Sequence, residues 1–225
     1  MVVNIKRGVS NSMMKSILIN ACVERLEGFR KYTEELDAKF QSDKRAIVES
    51  YDLSPDKYGQ DEDEYNDIIE FISDDIHEIE NTFIDTFRKS TLVSLYSFLE
   101  RQMNLLCKRV EKQNSLPIAV TDLKGEGVVR SKQYLEKMAS IDFSSGGMNA
   151  LWSAISDLNK LRNQIVHEEG YVKRTNPTSR IENIINTTPG LDYAWSSQLK
   201  IEMSYIDSTI HTIEQFLSNL YNQAL

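Results

Sequence analysis

The stretch MNALWSAISDLNKLRNQIVHEEG, residues 148–170, decides the fold. Leu151, Trp152, Ile155, Leu158, Leu161, Ile165 and Val166 recur at the three- and four-residue steps that line one face of an α-helix, with polar residues between them. Gly170 stands where a left-handed residue would stop that helix, so the pattern predicts one from about Met148 to Glu169. Immediately upstream, DFSSGG supplies a break and residues able to cap the start of this helix.

The same rhythm runs outward in both directions. Upstream it predicts a helix over Ser131–Ile141 and a central core helix over Phe87–Glu111, the latter carrying Leu92, Leu95, Tyr96, Leu99, Met103, Leu106 and Val110 and ending at Asn114 and Pro117. IAVTDLKGEGVVRS suits a connection, with a strand pair around Ala119 and Val128 as the alternative. Residues Asp61–Glu80 hold ten carboxylates and no Lys or Arg, yet Tyr65, Ile68, Ile69, Ile72, Ile76 and Ile79 keep helical spacing. This acidic amphipathic helix is either a solvated outer face or a surface that docks on a basic partner or second subunit. Before it come a loop near residues 50–60 and a first helix from Asn11 to about Phe40. Downstream, YVKRTNPTSR is a basic, turn-rich loop. A short helix over Ile181–Ile185, a break at TTPG and a last helix from about Trp195 to Tyr221 complete the chain.

Only 4 Pro and 9 Gly interrupt 225 residues, which leaves long stretches for helices and little punctuation for a many-stranded sheet. The expected architecture is all-α: residues 1–60 form an N-terminal helix and loop packed on a bundle of residues 61–225, one continuous domain overall. The net charge of −8 argues against a protein that coats nucleic acid or anionic membrane by bulk electrostatics, while leaving room for a local basic site. Cys22 and Cys107 have no paired spacing that suggests a disulfide framework or zinc site, and are read as buried small apolar residues of a reducing compartment. The N-terminus lacks a signal-peptide pattern and no stretch has the length of a membrane span, so a cytoplasmic location without a membrane partner is expected. GEG and SSGG do not link a strand to a helix as a phosphate loop would, and no Ser/His/Asp or Cys/His arrangement has support. No cofactor and no metal is expected.

Arg162, Asn163 and His167 carry the chemical interest, at the C-terminal end of the helix quoted first. Asn163 and His167 are four apart and share a face, whereas Arg162 and His167 differ by about 140° around an ideal helix. The Arg-Asn-x3-His arrangement, in an all-helical chain, resembles the signature of the HEPN superfamily and its ribonucleases and toxins. The resemblance is specific over Trp152–Gly170 and extends plausibly to the helix bearing Tyr96, Glu100 and Asn104.

The resemblance implies a helical bundle with an N-terminal extension, acting as a homodimer whose paired helix ends form a cleft. It implies metal-independent RNA cleavage, with His167 as general acid or base, Arg162 on the phosphate, and Asn163 orienting His167 or substrate. Around this cleft Lys160, Lys173 and Arg174 are candidate phosphate contacts, and Glu100 and Asn104 candidate supporting groups. A protein inhibitor or antitoxin and a role in antiviral defence or growth control come with the same resemblance. HEPN toxins paired with a nucleotidyltransferase commonly carry Tyr two residues after the His; here Glu169 stands there and the nearest is Tyr171. The alternative is a non-catalytic helical module for protein–protein interaction, together with plain ion pairing of Arg162 to Glu168 or Asp157. His77 and His211 are expected to be surface or structural residues.

Overall fold

The computed structural model describes residues 11–51, 62–175, 177–194 and 197–225. It is helical almost throughout: α1 Asn11–Ser50, α2 Glu62–Glu78, α3 Asp85–Gln113, α4 Gly127–Ala139, α5 Gly146–Glu168, α6 Arg180–Thr187 and α7 Met203–Ala224. The all-α expectation is met, with one small addition, an antiparallel pair of strands β1 Leu191–Tyr193 and β2 Leu199–Ile201. The loop expected near residues 50–60 lies almost wholly outside the described residues.

The centre is α3. Leu92, Leu95, Leu99, Met103, Cys107 and Val110 are fully buried on it, at the spacing its sequence announced. Against it pack α4, α5 and α7, and α7 adds Ile206, Ile210, Ile213, Phe216 and Leu220. The N-terminal half of α1 packs along α7 and contributes Cys22 and Leu26 to the same core. Phe143, Trp152 and Phe216 form an aromatic knot with ring centroids 5.7–6.2 Å apart.

Between α2 and α3 the chain does not break. A π-helical turn, Ile79–Ile84, joins them into one continuous rod. Ile79 and Ile84 are both buried though five residues apart, which an ideal α-helix would place about 140° from each other. The wider turn, with its i→i+5 bonding, brings both inward.

Several boundaries differ from the sequence expectation. The first helix runs to Ser50 rather than Phe40, because QSDKRAIVES contains no residue that would end it. Around Ala119 there is a 3-10 turn, Val120–Asp122, and no strand; α4 then begins at Gly127. The strands lie instead where Leu191, Tyr193 and Leu199, Ile201 alternate with polar residues. The last helix consequently starts at Met203, and Leu199, expected on it, is a strand residue; Trp195, its expected start, is outside the described residues. Ser145 occupies the N-cap of α5 without a side-chain cap bond. The local turn is held instead by Asp142, whose Oδ1 accepts from Ser144 N at 2.7 Å and Ser144 Oγ at 2.6 Å, which lowers its carboxyl to about 2. Both cysteines are buried and free, and burial pushes the Cys107 thiol up to about 12. Among the described residues no helix is long and apolar enough to cross a membrane.

Because Leu99 is fully buried where α3 meets the rest of the bundle, Leu99→Ala is expected to lower the unfolding free energy by about 2–5 kcal/mol. Chemical denaturation monitored by helical circular dichroism measures it; a loss below about 1 kcal/mol would mean that this helix is not the packed centre.

Candidate functional site

The end of α5 is fixed by backbone geometry. Glu169 takes the left-handed conformation at φ 54°, and Gly170 follows at φ 83°. The helix thus ends at Glu168, one residue before the expected stop, and two left-handed residues replace one. Gly170 N–H donates to the Gln164 carbonyl at 3.0 Å, and Leu199 N–H donates to the Gly170 carbonyl at 2.8 Å. The Gln164 side chain donates to the Tyr171 carbonyl. Together with the Val172 N–H to Ser197 carbonyl bond at 2.9 Å, these tie the helix end to the start of β2. Glycine suits position 170 for its positive φ, and a methyl there would also press on the end of the Lys89 side chain, at 3.0 Å from Cε and 3.1 Å from Nζ. Lys89 itself is buried and donates to Asp85 Oδ2 at 2.7 Å. This cation beneath the end of α5 sits where helix-terminal carbonyls favour positive charge.

Arg162 is half-buried and turned toward α3. Its guanidinium carbon stands 5.4 Å from the Tyr96 ring centroid, and Nη1 donates to Asn163 Oδ1 at 2.9 Å. Its Nε is buried without a hydrogen-bond partner. Arg162 makes no salt bridge among the described residues, so the ordinary ion pair with Glu168 or Asp157 is not what holds it. Tyr96, 3% exposed, lies beside Glu100, and its hydroxyl is bonded to the backbone of Val128 at the start of α4. Burial first, then the Glu100 carboxylate, raises the Tyr96 hydroxyl above its usual range, against the pull of the Val128 backbone and Arg162. A methyl at Gly127 would lie 3.2 Å from Tyr96 Oη and 3.7 Å from Glu100 Oε2, so the start of α4 closes tightly over this pair.

His167 is exposed on the last turn of α5, and among the described residues nothing hydrogen-bonds to its ring. Asn163 uses its carbonyl oxygen on Arg162, so its contact is with the arginine and not with His167. The structure thus joins Arg162 and Asn163, adds Tyr96 and Glu100 behind them, and leaves His167 on the adjoining surface.

The remaining candidates separate. Lys160 points away from this group: its Nζ bonds Asp157 Oδ1 at 2.9 Å, and Arg180 Nη2 reaches the same oxygen at 3.0 Å. Burial resists ionisation of Asp157, but these bonds and charges outweigh it and lower its carboxyl. Asn104 accepts from the buried Ser131 hydroxyl at 3.2 Å and braces α3 against α4. Lys173 is exposed, and Arg174 stacks on the Tyr193 ring at 4.0 Å. His77 and His211 are exposed, each close to a side-chain amide one turn on, Asn81 and Gln215.

Sequence reasoning did not foresee Glu182, which anchors the loop bearing Lys173 and Arg174. Its carboxylate accepts from Thr175 Oγ1 at 2.6 Å and Ser179 N at 2.8 Å, in a capping box whose other half is Ser179 Oγ. The pattern Ser179-x-x-Glu182 was the available signal. These bonds, the Thr175 hydroxyl first and the Ser179 backbone next, lower Glu182 from its ordinary 4.5 to about 2. A depressed carboxylate contributes stability above its unfolded pKa and loses it as pH falls through the folded one. Anchoring at Thr175 and Ser179 is therefore expected to be complete above about pH 4.5 and to weaken toward pH 2. Hydrogen exchange at the Thr175 and Ser179 amides should follow that course in the wild type and be fast and pH-insensitive, after correction for intrinsic exchange, in Glu182→Ala.

Compared with protein-family models, curated proteins and solved structures, the chain has no significant match in any of the three.

Proposed function

We propose that the protein is a metal-independent RNA endonuclease of the HEPN type, acting as a homodimer in a defence or toxin–antitoxin setting. The observation that carries this reading is the state of Arg162, fixed by Tyr96 and Asn163 on a helix that ends in exposed His167, yet free of any carboxylate partner among the described residues. An arginine held in one geometry and left without a counter-ion suits a phosphate, which its planar fork can bind through two parallel bonds.

In this reading the ribose 2′-hydroxyl attacks the adjacent phosphorus, the bond from phosphorus to the 5′-oxygen breaks, and a cyclic phosphate and a 5′-hydroxyl result. His167 takes the 2′-hydroxyl proton or supplies one to the leaving oxygen, and the second copy's helix end provides the other transfer. Arg162 stabilises the charge that grows on the phosphoryl oxygens. Asn163 orients Arg162, which replaces the role first expected for it. Lys173 and Arg174 extend the cationic surface toward the RNA backbone, whereas Lys160, neutralised by Asp157, does not. A protein inhibitor would act by covering the same helix ends.

The non-catalytic module remains the second reading, favoured by one observation: nothing among the described residues orients His167. Purified protein and its His167→Ala variant, incubated with mixed cellular RNA in EDTA, separate the two. Wild-type cleavage leaving cyclic-phosphate ends, reduced about 10²–10⁴-fold in the variant, is the expected result. Equal cleavage by both proteins, or none by either with helicity intact, would turn the assignment to the binding module.

A further inference from the structure

A surface outside this site has the features of a built contact. On α2, Asp67, Phe71, Asp74, Asp75 and Glu78 fall at the spacings that place residues on one helix face. That face lies about 100° around the helix from the side through which Ile72 and Ile79 are buried. All five are exposed, the carboxylates make no ion pair among the described residues, and Phe71 stands 63% exposed in their midst. An aromatic side chain ringed by unpaired carboxylates has the make-up of an interface anchor with a charged rim.

At the other end of the molecule lies its complement. An open cleft of about 460 Å³ runs between the N-terminal part of α1, the C-terminal part of α3 and Tyr221 of α7. Met14, Leu18 and Leu105 give it apolar surface, and Lys108, Arg109 and Lys112 line it with positive charge. No Asp or Glu is among its lining residues, and none of the three cations has a salt-bridge partner among the described residues. On a chain of net charge −8, two unpaired patches of opposite sign, each with apolar surface at its centre, fit one another.

A molecule cannot bring its own two patches together. Leu18 lines the cleft, while Lys44, on the same uninterrupted helix, is paired with Glu80 just beyond the end of α2. Roughly 40 Å of helix separates Leu18 from Lys44. We infer that the acidic face of α2 docks in the basic cleft of a second copy, with Phe71 against Leu105 and Leu18. Two copies lying antiparallel satisfy both contacts at once about a two-fold axis, each lending α2 to the other. This contact uses a different surface from the α5 ends paired in the nuclease reading and does not rest on that reading; where both contacts form, it joins dimers into a larger assembly.

Sedimentation of the full chain tests it. The wild type is expected at low salt to form a species about twice the mass of either charge-reversed variant described next, with affinity for that step falling by about tenfold or more toward roughly 0.5 M salt as the charges are screened. Phe71→Ala should weaken it at every salt concentration. K108E/R109E/K112E and D67K/D74K/E78K should each lose this step of association alone, yet regain it when mixed, because each then offers the charge that the other lacks. That rescue also proves both variants folded. A monomeric wild type, salt-insensitive association, or variants that associate as the wild type does would overturn the inference, as would two helical variants that fail to rescue one another.

Discussion

Everything in this molecule leans on the burial of α3. Along Asp85–Gln113 the buried positions run from Phe87 to Val110, and the consequence is that α4, α5 and α7 all pack on one element, while α5 and α7 also pack on each other. The candidate site inherits this. Tyr96, Glu100 and Asn104 rise from the same helix as the core leucines, so the platform under Arg162 moves only if the core moves. The loop side is held separately, by the backbone bonds from Gly170 and Val172 to the strand region and by the Glu182 capping box. A rigid helix end between two independent supports is a good place for side chains that must keep their geometry.

Most of the fold was legible because helix periodicity is a strong signal when little interrupts it. The core residues of α3 and most of those of α5 and α7 came from spacing alone, whereas Val166, expected on the inward face of α5, is exposed beside the helix end. What failed was local. Leu199 and Ile201 alternate with a polar residue, but two alternations followed by a helical run are hard to tell from the first turn of that helix, and only the partner strand Leu191–Tyr193 decides the matter. The extension of α1 to Ser50 was missed for the opposite reason: its last turns are mostly solvent-facing and carry little apolar pattern, although nothing in them breaks a helix.

The site was legible in part. Arg162 and Asn163 are neighbours, and their bond is a local matter. Lys160 precedes Arg162 by two residues, about 200° around the helix, so its turn toward Asp157 and Arg180 came from geometry that the charge pattern obscured. Tyr96 beneath Arg162 is a contact across 66 positions of sequence, and no periodicity announces such a pairing. The overall acidity was likewise a poor guide, because it averages over two ends of opposite character, α2 and the cleft around Lys108.

The π-turn at Ile79–Ile84 has a last consequence. It carries one residue more than the α-helical path needs, and that surplus sets how the acidic rod is rotated relative to the core rod. Winding the same residues as plain α-helix would leave α3 and its packing untouched, yet swing the outward face of α2 by about 100°. Phe71 and its carboxylates would then face a different direction in space. The aim of one end of the molecule is thus written in the winding of one turn, where a change of pitch alters the address of a surface without changing its chemistry.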